Sequence, residues 1–137
     1  TCGAASYRML LYDKEIISEK QAVDEIKTDK NGTILLNVFI ALQKRNINCF
    51  LIKLGIDFDE YSRWLDLNSY QRKLYLSCDF INGGARGKGI NSHRSHAVVV
   101  SNGMIFDPSE NKPVPISAFY DTFSKSLFIN DMILIEN

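Results

Sequence analysis

The sequence is short of cysteine, proline, histidine and tryptophan, and it carries no excess of either charge. Three cysteines, three prolines, two histidines and one tryptophan occur in 137 residues, and 16 basic residues offset 16 acidic ones. The even balance argues against a general binder of nucleic acid or anionic membrane, which needs a cationic surface. No apolar run approaches the ~20 residues of a membrane-spanning helix; Ala97–Val100 and Met132–Ile135 are strand-sized. Cys2, Cys49 and Cys78 are odd in number, far apart and without a Cys-x-x-Cys pair. That pattern points to free thiols in a reducing, cytoplasmic setting rather than a disulfide scaffold. The start of the chain lacks the basic and apolar stretches of a signal peptide. Without a linker, repeat or low-complexity tract, residues 1–137 read as one domain, of a size that buries about two-thirds of its unfolded surface.

What is present divides into a helical first half and a strand-rich second half. Ala4, Ala5, Met9 and Leu10 recur at helical spacing from the N-terminus to Tyr12-Asp13. Ser18 with Gln21 three residues on predicts a capping box opening a helix over Ser18–Lys27. Asp29-Lys30-Asn31-Gly32 signals a turn. Leu35, Val38, Phe39 and Leu42 then form the i, i+3, i+4, i+7 stripe of a helix over Thr33–Arg45. Cys49–Leu54 reads as a strand, Asp59–Tyr75 as helical in composition and Cys78–Ile81 as a short strand. Asn82–Asn91, with four glycines, reads as a loop. His96–Ser101, the tight-turn pair Asn102-Gly103 and Met104–Phe106 predict a hairpin. Ile116–Phe123 follows as a short helix and Leu127–Glu136 as a last strand. Helices first and antiparallel strands later predict an α+β fold, with N-terminal helices packed on an antiparallel sheet.

Cys2 opens the first helix, where unpaired backbone N–H groups and the helix dipole favour thiolate over thiol. The same amides, at Cys2 and Gly3, suit a developing oxyanion, and Gly3 leaves room for a substrate backbone. A thiolate nucleophile needs a base, and the choice is between His93, in a polar run, and His96, at the head of an apolar strand. An imidazole in turn needs an acceptor to orient it. Asp107 follows the strand that the Asn102-Gly103 turn folds back on the strand of His96, so residues 96 and 107 are expected roughly opposite each other.

The order Cys2-Gly3-x-Ala5, Asn31-Gly32-Thr33, His96-Ala97-Val98-Val99-Val100 and Asp107-Pro108 resembles the bacteriocin-processing cysteine peptidases, papain-like domains that cut double-glycine leaders. The resemblance spans nearly the whole chain, with Ala41–Leu54 as a helix-to-strand step and Ile116-Ser117-x-Phe119 before a closing strand over Leu127–Ile135. It implies a papain-like fold, a polypeptide substrate, and no cofactor or metal. It also implies Cys2 as nucleophile, His96 as general base and acid, and Asp107 as the residue that orients His96. Two departures stand out. The family's oxyanion-hole glutamine, a few residues before the nucleophile, would fall ahead of Thr1, so it is either outside these 137 residues or absent. The stretch Gly83–Gly89 is longer and more basic than usual. Gly84, Arg86, Trp64 and Phe106 are the expected walls of a substrate cleft.

The same residues admit rival readings. Transglutaminase-like and deamidating enzymes share the order Cys, His, Asp, and a thioester can be resolved by water or by an amine. A papain-like domain without activity, kept for binding a peptide, is the alternative from another class. Thr1 as an N-terminal nucleophile fits poorly, because a helix follows it directly. A zinc site from His93, His96 and Cys78 lacks paired-ligand spacing. Gly83–Gly89 lacks the spacing of a phosphate loop. Asp57–Glu60 reads as acidic residues at a helix start, and Cys49 and Cys78 as core.

Overall fold

The computed structural model describes residues 2–30, 32–80, 95–108, 112–118 and 127–136. Three helices come first: α1 (Cys2–Leu11), α2 (Glu19–Ile26) and α3 (Leu35–Lys44). They are followed by β1 (Cys49–Asp57), α4 (Phe58–Ser69), β2 (Lys73–Phe80), β3 (Ser95–Ser101), β4 (Met104–Phe106), β5 (Val114–Pro115) and β6 (Leu127–Ile135). Among the described residues the strands form one antiparallel sheet in the order β1-β6-β2-β3-β4-β5. The last strand is thus inserted between β1 and β2, which run parallel to each other on either side of it.

Both faces of the sheet are covered. Ala4, Tyr7, Leu10 and Leu11 of α1, with Ala22, Ile26, Val38, Ala41 and Leu42, pack against Tyr75, Ala97, Val99, Ile133 and Ile135. On the other face, Leu65 of α4 meets Leu74, Leu76, Cys78, Val98, Val100, Ile105, Met132 and Leu134. Strands buried on two sides need apolar residues at successive positions. This is why Val98-Val99-Val100 and Ile133-Leu134-Ile135 run on without alternation. The edge strand β1, by contrast, leaves Phe50 and Leu51 half exposed.

Local signals fix most boundaries. The Ser18 hydroxyl accepts the Gln21 N–H at 3.0 Å and caps α2. The side-chain amide of Gln21 donates onward to Glu25 at 3.1 Å. α3 starts at Leu35, two residues later than expected. The Thr33 hydroxyl pairs with Thr28 at 2.7 Å, leaving Ile34 as an N-cap without a side-chain bond. The hairpin between β3 and β4 turns through Asn102 and Gly103, both at positive φ (52° and 74°), as a two-residue turn with this twist requires.

The middle of the chain departs from its composition. The helix expected over Asp59–Tyr75 stops at Ser69, and β2 starts at Lys73. Leu74, Leu76 and Cys78 alternate onto the α4 face while Tyr75 faces α1, a period of two that pairing with β3 and β6 enforces. Ser69 closes α4 and ties it to the hairpin. Its Oγ donates to the Asp66 carbonyl and accepts the Gly103 N–H, both at 2.8 Å, and its carbonyl accepts the Asn102 N–H, also at 2.8 Å. Residues 116–118 are helical. The rest of the helix expected to Phe123 lies outside the described residues.

Candidate active site

The first turn of α1 and the first residues of β3 converge at one end of the sheet. Cys2 is the first residue of α1 and is partly buried. His96 is the second residue of β3, with its side chain 14% exposed. Asp107 follows β4 directly and is buried, its side chain 2% exposed. His96 Nε2 and Asp107 Oδ1 are 2.7 Å apart. The two are not directly opposite. The ladder pairs Val99 with Phe106 and Val100 with Ile105, so His96 reaches Asp107 along a diagonal. A diagonal pair lies within reach of a side chain as long as histidine.

The ring also bonds the Cys2 thiol, and this bond does most to hold that thiol below its ordinary value. Burial opposes the shift, while the backbone amides of Ala97 and Gly3 and the charge of His96 reinforce it. For His96, burial favours the neutral ring, yet the bonds to Asp107 and then to Cys2 overcome it and raise the pKa to about 9. The sign is the same from both sides: thiol down and imidazole up both favour the thiolate–imidazolium pair over the neutral one. With Nε2 engaged by Asp107, Nδ1 is left for the thiol. Such a group can attack an electrophilic carbonyl and hand a proton to what departs.

The role of Gly3 differs from the expectation. A Cβ built on it would lie 2.6 Å from Thr33 Cβ, so Thr33 is a neighbour that needs the missing side chain. Gly3 thereby seats the start of α1 on the turn before α3, and its amide faces the Cys2 sulfur. Local sequence pattern does not show that Thr33 meets Gly3, nor that Ser6, one turn after Cys2, is wholly buried. Ser6 was legible only as a hydroxyl among the apolar positions of α1.

Of the expected cleft residues, Phe106 lines a groove of about 510 Å³ with Ala5, Arg8, Met9, Tyr12 and Val99. Ala5, Arg8 and Met9 form the second, outward stripe of α1, and Tyr12 continues it just past the helix. Trp64 is elsewhere: it lies on α4, against the other face of the sheet and 4.8 Å from Tyr61, centroid to centroid. Gly84, Arg86, the rest of Gly83–Gly89 and His93 lie outside the described residues. Among the described residues no three His, Cys, Asp or Glu side chains are grouped to hold a metal ion, and no helix is long and apolar enough to cross a membrane.

No protein-family model matches the sequence, and no curated protein matches it. Solved structures do match the fold. The peptidase domain of Streptococcus ComA, a bifunctional ABC transporter involved in quorum sensing, superposes with a TM-score of 0.60 at 19% identity. The match covers 98% of this chain and 90% of that one. A double-glycine-motif protease from an AMS/PCAT transporter, solved with its leader peptide, gives a TM-score of 0.57 at 18% identity over 99% of this chain and 84% of the other. The chain therefore has the papain-like α+β fold of double-glycine peptidase domains.

Proposed function

We propose that the protein is a thiol peptidase that hydrolyses a peptide bond in a polypeptide substrate, with Cys2, His96 and Asp107 as its catalytic group. The observation that carries this reading is His96 bonded both to Asp107 and to the Cys2 thiol. In the proposed reaction the Cys2 thiolate adds to the scissile carbonyl carbon, and the carbonyl oxygen takes the negative charge. As the sulfur gives up its charge, the Gly3 amide that faced it turns, with that of Cys2, to the oxyanion. As the C–N bond breaks, the imidazolium of His96 gives its proton to the leaving amine, and a thioester to Cys2 remains. Water then attacks the thioester with His96 as base, releasing the carboxylate product and the thiolate. Asp107 keeps the ring in register and favours its charged form.

The fold shared with double-glycine proteases supports a leader-type substrate, and the apolar groove beginning at Ala5 and Phe106 supports a polypeptide rather than a small amide. The test is mass spectrometry of a double-glycine leader–cargo peptide incubated with wild type and with Cys2→Ala. Hydrolysis at one bond, lost in the variant, is expected. Deamidation or amine incorporation at a glutamine would replace this reading with the side-chain-amide one. Binding without turnover would replace it with a peptide-binding domain.

A further inference from the structure

Ser6 occupies an unusual place for a hydroxyl. It is wholly buried, sits one turn after Cys2, and donates to the Ala97 carbonyl at 2.9 Å. Ala97 immediately follows His96, and its amide faces the Cys2 sulfur. The hairpin explains why that backbone is available. In a hairpin closed by a two-residue turn, Ser101–Met104 and Val99–Phe106 are the hydrogen-bonded pairs. The next such pair would set Pro108 across from Ala97. Proline has no N–H to give, and the ladder ends at Val99–Phe106. A buried carbonyl left without a donor is costly, and so is a buried hydroxyl without an acceptor. Each meets the need of the other.

Resting on the reading of Cys2 and His96 given above, we propose that Ser6 is a positioning residue whose bond to Ala97 sets the helix of the nucleophile against the strand of its base. Three of the links that join α1 to β3 then fall within two residues of the imidazole: Cys2 to His96, the Ala97 amide to Cys2, and Ser6 to the Ala97 carbonyl. Without the last, the first turns of α1 meet the sheet beside Cys2 through apolar contacts with Val99 and Tyr75, which set no register of their own. The thiol then loses its approach to the ring.

The experiment compares Ser6→Thr with Ser6→Val in the full chain, two variants of nearly equal shape that differ in the hydroxyl. The pH dependence of Cys2 alkylation by iodoacetamide is read by mass spectrometry, with Cys49 and Cys78 as internal references. Ser6→Val should move the inflection up by about one pH unit, a roughly tenfold lower rate near pH 6, while Ser6→Thr stays close to wild type. Ser6→Ala should behave like Ser6→Val. Ile26→Val, a buried substitution remote from the site, should lower thermal stability and leave the inflection in place. Equal inflections for the threonine and valine variants would overturn the proposal. An ordinary wild-type inflection near 8.5 would overturn it together with the reading of Cys2 as an activated nucleophile. Activation of Cys2 with no difference between the variants would leave that reading standing.

Discussion

The start of α1 and the end of β2 each bring a cysteine to the head of β3, with opposite results. Cys78 is the direct cross-strand partner of His96, yet it is fully buried and its thiol is pushed well up, first by burial and then by the charges of Asp79, Asp107 and Cys2. Cys2 is farther away in pairing terms, but it bonds the ring and the amides of Ala97 and Gly3. A place opposite the histidine in the ladder therefore does not activate a thiol. Activation needs donors aimed at the sulfur and partial access to water, and a helix start provides both where a central strand provides neither.

The contrast breaks most visibly if the wrong cysteine proves essential. Cys2→Ala is expected to lower kcat for peptide cleavage by about 10⁴-fold or more. Cys78→Ala should keep kcat within a few-fold while costing about 1–2 kcal/mol in urea unfolding. A comparable loss of turnover from Cys78→Ala would remove the distinction.

The pH profile sharpens the same contrast. The Cys2 thiol is lowered and His96 is raised to about 9, so the imidazolium persists across neutral pH and loses its proton above about pH 9. Selective alkylation of Cys2 should therefore begin well below pH 8.5, and kcat/KM should fall above about 9. In His96→Ala the alkylation inflection should rise toward the ordinary thiol value of about 8.5, with a slower reaction at every pH below it. In Asp107→Asn the ring loses its charged partner, so the alkaline limb should move to lower pH.

Two further substitutions test the platform under Cys2. Gly→Ala within a helix ordinarily stabilises by about 0.5–1 kcal/mol. Here Gly3→Ala is expected to destabilise by about 2–3 kcal/mol through overpacking against Thr33, measured by urea unfolding, and Thr33→Gly should recover part of the loss. Smaller still is the contribution of Glu25. It accepts from the Tyr7 hydroxyl at 2.6 Å and from Arg45 at 2.6 and 2.7 Å, joining α1, α2 and the end of α3. Its carboxyl is held down to about 2, chiefly by the Arg45 bond. A depressed carboxyl stabilises the fold above its unfolded value and loses that contribution as pH falls through the folded one. Glu25→Gln should thus cost about 1–2 kcal/mol at pH 7, with the gap to wild type closing between pH 4.5 and 2.

Much of the site is legible along the chain because its parts are local. Cys2 at a helix start, Asn102-Gly103 as a tight turn and Ser18 as a cap each depend on a few neighbouring residues. The hairpin alone brings His96 to Asp107, although as a diagonal pair and not the opposite pair expected. The division between α4 and β2 was not legible. Tyr70–Tyr75 has a composition compatible with either state, and pairing to β3 and β6 decides it. Trp64 was misplaced for a similar reason: an aromatic residue on an amphipathic helix shows which stripe it joins but not which face of the sheet the helix covers.

The sequence by itself determined the order of helices and strands, the helix start under Cys2, the hairpin under His96 and the α+β class, all encoded over spans of a few residues. Only the tertiary structure decided that Thr33 occupies the space beside Gly3, that Ser6 meets Ala97 across 91 residues of chain, and that Cys2 is placed for activation while Cys78 is not. The physical reason is one of range. Periodicity and capping act between near neighbours, whereas a hydrogen bond or a steric limit between distant residues exists only once packing has set their separation to within a few tenths of an ångström.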